Sequence, residues 1–253
     1  MNQDPRSNVP VSATMSRFIE AALAAASITG GLVDPTLVPE IENAGYSTHR
    51  DPHPIPPPDA LRFAPPRRPG SPRREARWQE IRLHKGAARV IRQPGIRLDS
   101  GGVAKGLFGD LLAETLENHA SFAIDAAGDV RFGGREGLAR QVQVASPLDD
   151  AVLHVFELVR GAAATSGIGR RSWLGTDGRP AHHLLDPASG KPAYTGLVQV
   201  TALAPTGIEA EALSKAALLS GPARATDWLP HGGVVVYEDV GHHVLEPAAA
   251  LEQ

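Results

Sequence analysis

An α+β fold built largely from antiparallel sheet is what this sequence predicts. Runs alternating apolar and polar residues come in hairpin-like pairs, and helical patterns fall between those pairs instead of after every strand. In addition, 253 residues with 42% hydrophobic and 21% charged content suffice to bury a sizeable core.

The elements follow in order. "MSRFIEAALAAASITGG" reads as a helix, with Phe18, Ala21, Ala22 and Ala25 at helical spacing and Gly30–Gly31 as the stop. "LVDPTLVPEIENAGY" reads as a turn-rich segment. Residues 51–73 are proline-dense and read as an exposed connector, partly polyproline II. "WQEIRLHKGAARVIRQP" alternates like a hairpin turning near Lys85–Gly86. A helix is expected over Val103–Asn118, and "SFAIDAAGDVRFGG" as two short strands around a glycine turn. "RQVQVAS", "LHVFELV" and "GAAATSG" read as strands. "AHHLLDPASGKPA" reads as a strand entering a Pro/Gly loop, and "GLVQVTALAP" as a strand with an apolar middle. "IEAEALSKAALLSG" is a helix with Gly221 just past its end. "GGVVVYED" and "HVLEP" are last strands, and the tail 247–253 is expected to be loose.

Composition excludes several function classes. A net charge of −3 argues against a general nucleic-acid binder. With no cysteine there is no disulfide, thiolate metal site or cysteine nucleophile. No segment has the apolar length of a membrane span or the layout of a signal peptide, so a cytoplasmic location is expected.

Three stretches could carry chemistry. "LDSGGVAKG", Leu98 to Gly106, sets glycines and one lysine at the mouth of a helix. Bare N–H groups at a helix start attract phosphate, and Lys105 adds a full charge; a tight turn with a solvated lysine explains the same residues. In "HHLLDPASGKP", adjacent His182 and His183 face opposite ways on a strand, so at most one enters a given site. That one is either a general base or an ordinary surface histidine beside a core one. In "TGIEAEALSKAAL", Glu211 and Lys215 stand four apart. They suit an ion pair on a solvated helix face, or a carboxylate near a metal or diphosphate.

In this order and at these separations, "LDSGGVAKG", "TSGIGRR…HHLLDPASGKP" and "APTGIEAEALSKAALLSG" resemble the FAD:protein FMN transferases, the ApbE family. "TGGLVDPTL" and "AIDAAGDVRFGG" resemble two further family segments. The resemblance spans about residues 15–240 and implies one domain over 1–253, T-fold-like, that holds FAD with Mg²⁺ on its diphosphate. It implies cleavage of FAD, transfer of FMN to a Ser or Thr of a target flavoprotein, and release of AMP. Asp99, Gly101, Gly102, Lys105 and Gly106 would lie near FAD. Thr165, Ser166 and Gly167 would pass the flavin and metal, and His183 would activate the acceptor hydroxyl. Glu211 and Thr165 would hold the metal.

The chain also departs from that pattern. The family's metal-side aspartate and threonine are replaced by Glu211 and Lys215, and Ala127 stands where a glycine is usual. Lys cannot bind a cation; its ammonium would contact the diphosphate directly. Members carry further residues ahead of the first helix, so a shortened member is expected, with a partner chain or homodimer covering an open sheet edge. Two alternatives remain beside the transferase: a non-catalytic FAD-binding or scaffold protein on the same fold, and a hydrolase of nucleotide diphosphates.

Overall fold

The computed structural model of the chain describes residues 1–46, 55–175, 177–239, 241–248 and 251. Strand β1 (Asn8–Pro10) leads into helix α1 (Ala13–Ile28), where Ser12 caps the start by accepting from the Met15 N–H. Gly30 and Gly31, both at positive φ, end the helix. Two short helices follow, α2 (Val38–Asn43) and α3 (Pro57–Arg62). Neither was legible: one lies in the segment read as turns, the other in the proline stretch read as a connector. Both place proline in the first turn, where the missing N–H has no intrahelical partner to lose.

The rest of the proline stretch is docked rather than free. The Arg68 N–H donates to Tyr194 O, the Gly70 N–H to Leu219 O and the Ser71 N–H to Asp186 Oδ1. Residues 51–54 of that connector lie outside the described residues.

Strands β2 (Arg82–His84) and β3 (Arg89–Ile91) form the hairpin expected from their alternation. β1 adds to its far side, giving a three-stranded antiparallel sheet in the order β1-β3-β2. Helix α4 (Ala104–Leu116) follows the glycine motif. Then come β4 (Phe122–Ala126), β5 (Asp129–Gly133), the hairpin β6 (Arg140–Ala145) with β7 (Val152–Leu158), and β8 (Gly161–Gly167). At the β4–β5 turn Ala127 holds φ 57°, a conformation glycine adopts more cheaply.

The stretch read as one strand into a loop is three pieces: β10 (Pro180–His182), β11 (Leu185–Asp186) and β12 (Lys191–Pro192). β10 pairs with β9 (Ser172–Leu174), while β11 and β12 pair with each other across a turn held by Asp186, which accepts from the Ser189 hydroxyl at 2.6 Å. β13 (Leu197–Ala204), helix α5 (Gly207–Ser220), β14 (Gly233–Tyr237) and β15 (His242–Leu245) complete the chain.

The main sheet has six antiparallel strands in the order β15-β14-β13-β8-β5-β4. Every residue of β13 is buried, so both faces of the sheet are covered. α5 lies on one face along β8 and β13, with α4 and α1 packed against it. The β6–β7 hairpin sends Val142, Val144, Phe156 and Leu158 into the same core. Enclosed in this way, α5 is buried around almost its whole circumference. The solvated face expected for Glu211 and Lys215 is therefore absent, although the ion pair is present.

The tail also differs from expectation at one point. Leu251 is 2% exposed, and its carbonyl accepts from the Val159 N–H at 3.1 Å. It fills the space beside Gly161, where a Cβ would meet the Leu251 side chain.

Candidate functional site

A cavity of about 290 Å³ opens where the start of α4, the 32–46 segment, the β10–β11 junction and the C-terminal half of α5 meet. Leu32, Leu37, Ile41, Leu184 and Leu219 form an apolar wall; Asp34, Asp99, Lys105, Arg171, His183 and Lys215 form a polar arc. An apolar wall facing a few convergent polar groups suits a flat ring system that carries a charged tail.

The glycine motif is shaped by Asp99. Its Oδ1 accepts from the Gly101 N–H at 3.0 Å, and its own N–H donates to Pro35 O at 2.8 Å, tying the loop to the 32–37 segment. In that segment Asp34 Oδ1 accepts from the N–H and hydroxyl of Thr36, at 2.8 and 2.6 Å. Its Oδ2 is buried with no hydrogen-bond partner among the described residues, in a residue that lines the cavity. A buried carboxylate oxygen is costly unless something donates to it, so Asp34 is ready to accept from a ligand.

Lys105 reaches Asp129 Oδ2 at 2.7 Å, and Asp129 Oδ1 accepts from the Thr165 N–H at 3.1 Å. Burial raises the Asp129 pKa, opposed by the Lys105 charge. Lys105 is still 30% exposed and keeps further donors for the cavity.

The seam between α4 and α5 is built reciprocally. Glu211 on α5 accepts from the Gly106 N–H in the first turn of α4, at 2.8 Å. Asp110 on α4 accepts from the Gly207 and Ile208 N–H groups in the first turn of α5, at 2.8 and 3.0 Å. Each helix start thus receives the carboxylate of the other, satisfying orphan donors and complementing the dipole. Gly106 and Gly207 let the backbones touch; a Cβ on Gly207 would lie 2.7 Å from Gly106 O. The second oxygen of Glu211 takes the Lys215 ammonium at 3.0 Å.

The adjacent histidines divide between core and cavity, His182 ending β10 and His183 lying just beyond it. His182 is 1% exposed and edge-on to Tyr194 at 4.9 Å. Burial lowers its pKa to about 4. In the unfolded chain it regains the ordinary value near 6.5, so below that pH the unfolded state takes up the proton first. His182 should thus contribute up to about 3 kcal/mol at pH 7, lost progressively as pH falls from about 6.5 to 4. His182→Phe is expected to flatten that limb in denaturant titrations run across the range, and an unchanged slope would show His182 to be irrelevant to it.

His183 lines the cavity. Its N–H donates to Arg171 O, and Nδ1 lies 3.4 Å from the same carbonyl. A carbonyl only accepts, so this contact selects the tautomer with hydrogen on Nδ1 and leaves Nε2 with a free lone pair. Burial first, then His182, Lys215 and Arg171, push its pKa well below the ordinary value. The ring is therefore neutral at physiological pH, with a lone pair available but a weaker base than a free imidazole.

Of the residues proposed from sequence, Asp99, Gly101, Gly102, Lys105, His183 and Lys215 line this one cavity. Gly106 and Glu211 lie behind it in the helix seam. Thr165, Ser166 and Gly167 lie outside the lining: the Thr165 hydroxyl pairs with Thr201 at 2.8 Å, Ser166 with Ser214 at 2.8 Å, and Gly167 pairs with Gln199 across the sheet. Sequence reasoning did not select Asp34 or Arg171. Asp34 sits inside "LVDPTL" and Arg171 inside "SGIGRR", and only the fold carries them to the cavity.

Glu211 and Thr165, the residues expected from the resemblance to hold Mg²⁺, are not free to do so. Both Glu211 oxygens are engaged, one by an ammonium, and the Thr165 hydroxyl is committed to Thr201. Among the described residues no three His, Cys, Asp or Glu side chains group as metal ligands. Mg²⁺ on a diphosphate takes one or two protein carboxylates beside phosphate and water oxygens, and here a fixed positive charge sits on one oxygen of Glu211.

Fold and cavity together define an antiparallel α+β protein with a partly apolar pocket flanked by lysines and carboxylates. The ApbE family model matches residues 1–237, and the chain belongs to that family. It is similar to the FAD:protein FMN transferases of Escherichia coli K12 (26% identity over 237 residues) and Haemophilus influenzae (28% over 251). Those alignments cover 90% and 93% of this chain, and 65% and 69% of the relatives. The chain thus spans about two thirds of the length of the curated relatives it matches. Among solved structures it resembles the ApbE protein of Thermotoga maritima, with TM-score 0.75, 28% identity, and 100% and 82% of the two chains covered. The fold is also shared with the flavinyl transferase ApbE of Pseudomonas stutzeri, at TM-score 0.70 and 21% identity over 98% of this chain and 78% of that one. No helix among the described residues is long and apolar enough to cross a membrane.

Proposed function

We propose that the cavity binds FAD and that the chain transfers FMN from it to a Ser or Thr hydroxyl of a target flavoprotein, releasing AMP. The observation that carries this reading is the convergence of His183 with Lys105, Lys215 and Arg171 on one cavity in a chain of the ApbE family. His183 Nε2 takes the proton of the acceptor hydroxyl. The hydroxyl oxygen forms a bond to the FMN phosphorus, the bond from that phosphorus to the bridging oxygen breaks, and the bridging oxygen leaves on AMP. The cations stabilise charge on the diphosphate as it builds, and the proton held on His183 passes to the leaving phosphate. The glycine loop at Gly101–Gly102 leaves room for the phosphates to approach the backbone. The apolar wall holds the ring system and excludes water, which would otherwise compete with the acceptor.

The test is incubation of the purified chain with FAD and an acceptor flavoprotein, followed by denaturing electrophoresis and nucleotide analysis. The expected result is a fluorescent covalent adduct with AMP released in equal amount. AMP without adduct would make the chain a hydrolase. FAD bound with neither product would make it a non-catalytic flavin binder, a reading favoured by the Glu211–Lys215 pair, in which each residue satisfies the other without any reaction.

A further inference from the structure

We infer that this chain binds the diphosphate of its nucleotide without a divalent cation, the Lys215 ammonium standing where a metal ion would otherwise neutralise it. The inference rests on the reading of the cavity as an FAD site.

The geometry points there from three sides. Lys215 lines the cavity with 11% of its side chain exposed, so its ammonium is at the wall and largely stripped of water. Glu211, 1% exposed, fixes it from behind through one oxygen while its other oxygen is held by the Gly106 N–H. The ammonium is therefore positioned rather than free to swing, with donors left over beyond that bond. Two more cations share the cavity: Lys105, held by Asp129, and Arg171, which has no ion pair among the described residues. A diphosphate carries about two negative charges; these three side chains meet it with donors already in place, against the carboxylates of Asp34 and Asp99 on the same lining. Bringing a dication to Glu211 instead would set it against the Lys215 ammonium that Glu211 already holds.

The experiment is an FAD titration followed by flavin fluorescence, in EDTA and in excess Mg²⁺, with wild type, Lys215→Met and Lys215→Arg. The wild type is expected to bind equally in both buffers, within about threefold. Lys215→Met should lose about tenfold or more of the affinity in EDTA, and Lys215→Arg should retain most of it. Wild-type binding that collapses in EDTA overturns the inference while leaving the FAD site intact. Lys215→Met that binds like wild type in EDTA also overturns it. Absence of binding in both buffers overturns the FAD reading and this inference with it. Should Lys215→Met unfold because Glu211 is left unpaired, the double variant Glu211→Gln, Lys215→Met removes the buried charge and is held to the same expectation.

Discussion

His183→Ala is expected to lower the rate of flavin transfer about 10²–10⁴-fold while changing FAD affinity only severalfold. The split follows from its place. His183 sits on the cavity wall and its ring makes one long contact, to Arg171 O, so removing it takes away a proton acceptor and little binding surface. The backbone bond from its N–H to the same carbonyl survives the change. Single-turnover adduct formation, set beside the fluorescence titration, separates the two effects. Transfer at the wild-type rate in the variant would falsify the assignment of His183 as base. The pH profile gives a second reading. Because burial and neighbouring cations hold the His183 pKa well below the ordinary value, wild-type transfer should keep its rate to lower pH than a free imidazole allows. An acid limb at the ordinary imidazole value would place the essential base elsewhere.

Gly106→Ala is expected to destabilise the fold by about 3 kcal/mol or more. A Cβ there would fall inside contact distance of the Gly207 carbonyl and 2.7 Å from the Ile208 nitrogen. Both neighbours are backbone, and Asp110 pins them through the Gly207 and Ile208 N–H groups, so they have no rotamer by which to yield. Relief requires α4 and α5 to separate, which stretches the Gly106 to Glu211 bond and shifts Lys215. Chemical denaturation should therefore show the loss in stability. Gly86→Ala provides the comparison, since a Cβ at that exposed turn meets nothing within 4 Å. Equal midpoints for the two variants would mean that the seam is looser than its geometry.

Local patterning made the hairpins legible. β2–β3 and β4–β5 alternate around turns that declare themselves in a few residues. α1 showed its helical stripe and its Gly30–Gly31 stop, and α5 its Gly221 cap at φ 74°. Short elements were less readable. α2 and α3 have six residues each, too few for periodicity to outweigh the prolines that happen to sit harmlessly in their first turns. β1 has three residues and becomes a strand only because β3 offers it an edge.

What the sequence determined by itself was the class of fold, the order of the main elements, and the residue types able to handle a phosphate and a proton: Lys105, His183, Lys215 and the glycines before α4. What tertiary structure decided was which of them meet. His182, the last residue of β10, is sent into the core and His183, just past the strand, reaches the cavity, and only the packing of β10 against its neighbours says which goes where. Thr165 and Glu211 have oxygen atoms that fit a metal on paper; across the sheet and the helix seam those atoms are bound to Thr201, Gly106 and Lys215. Asp34 and Arg171, more than a hundred residues apart in the chain, line one cavity that only the folded chain assembles. Periodicity is local and survives in one dimension. The partner of a buried charge is set by long-range packing, and a single sequence carries no direct mark of it.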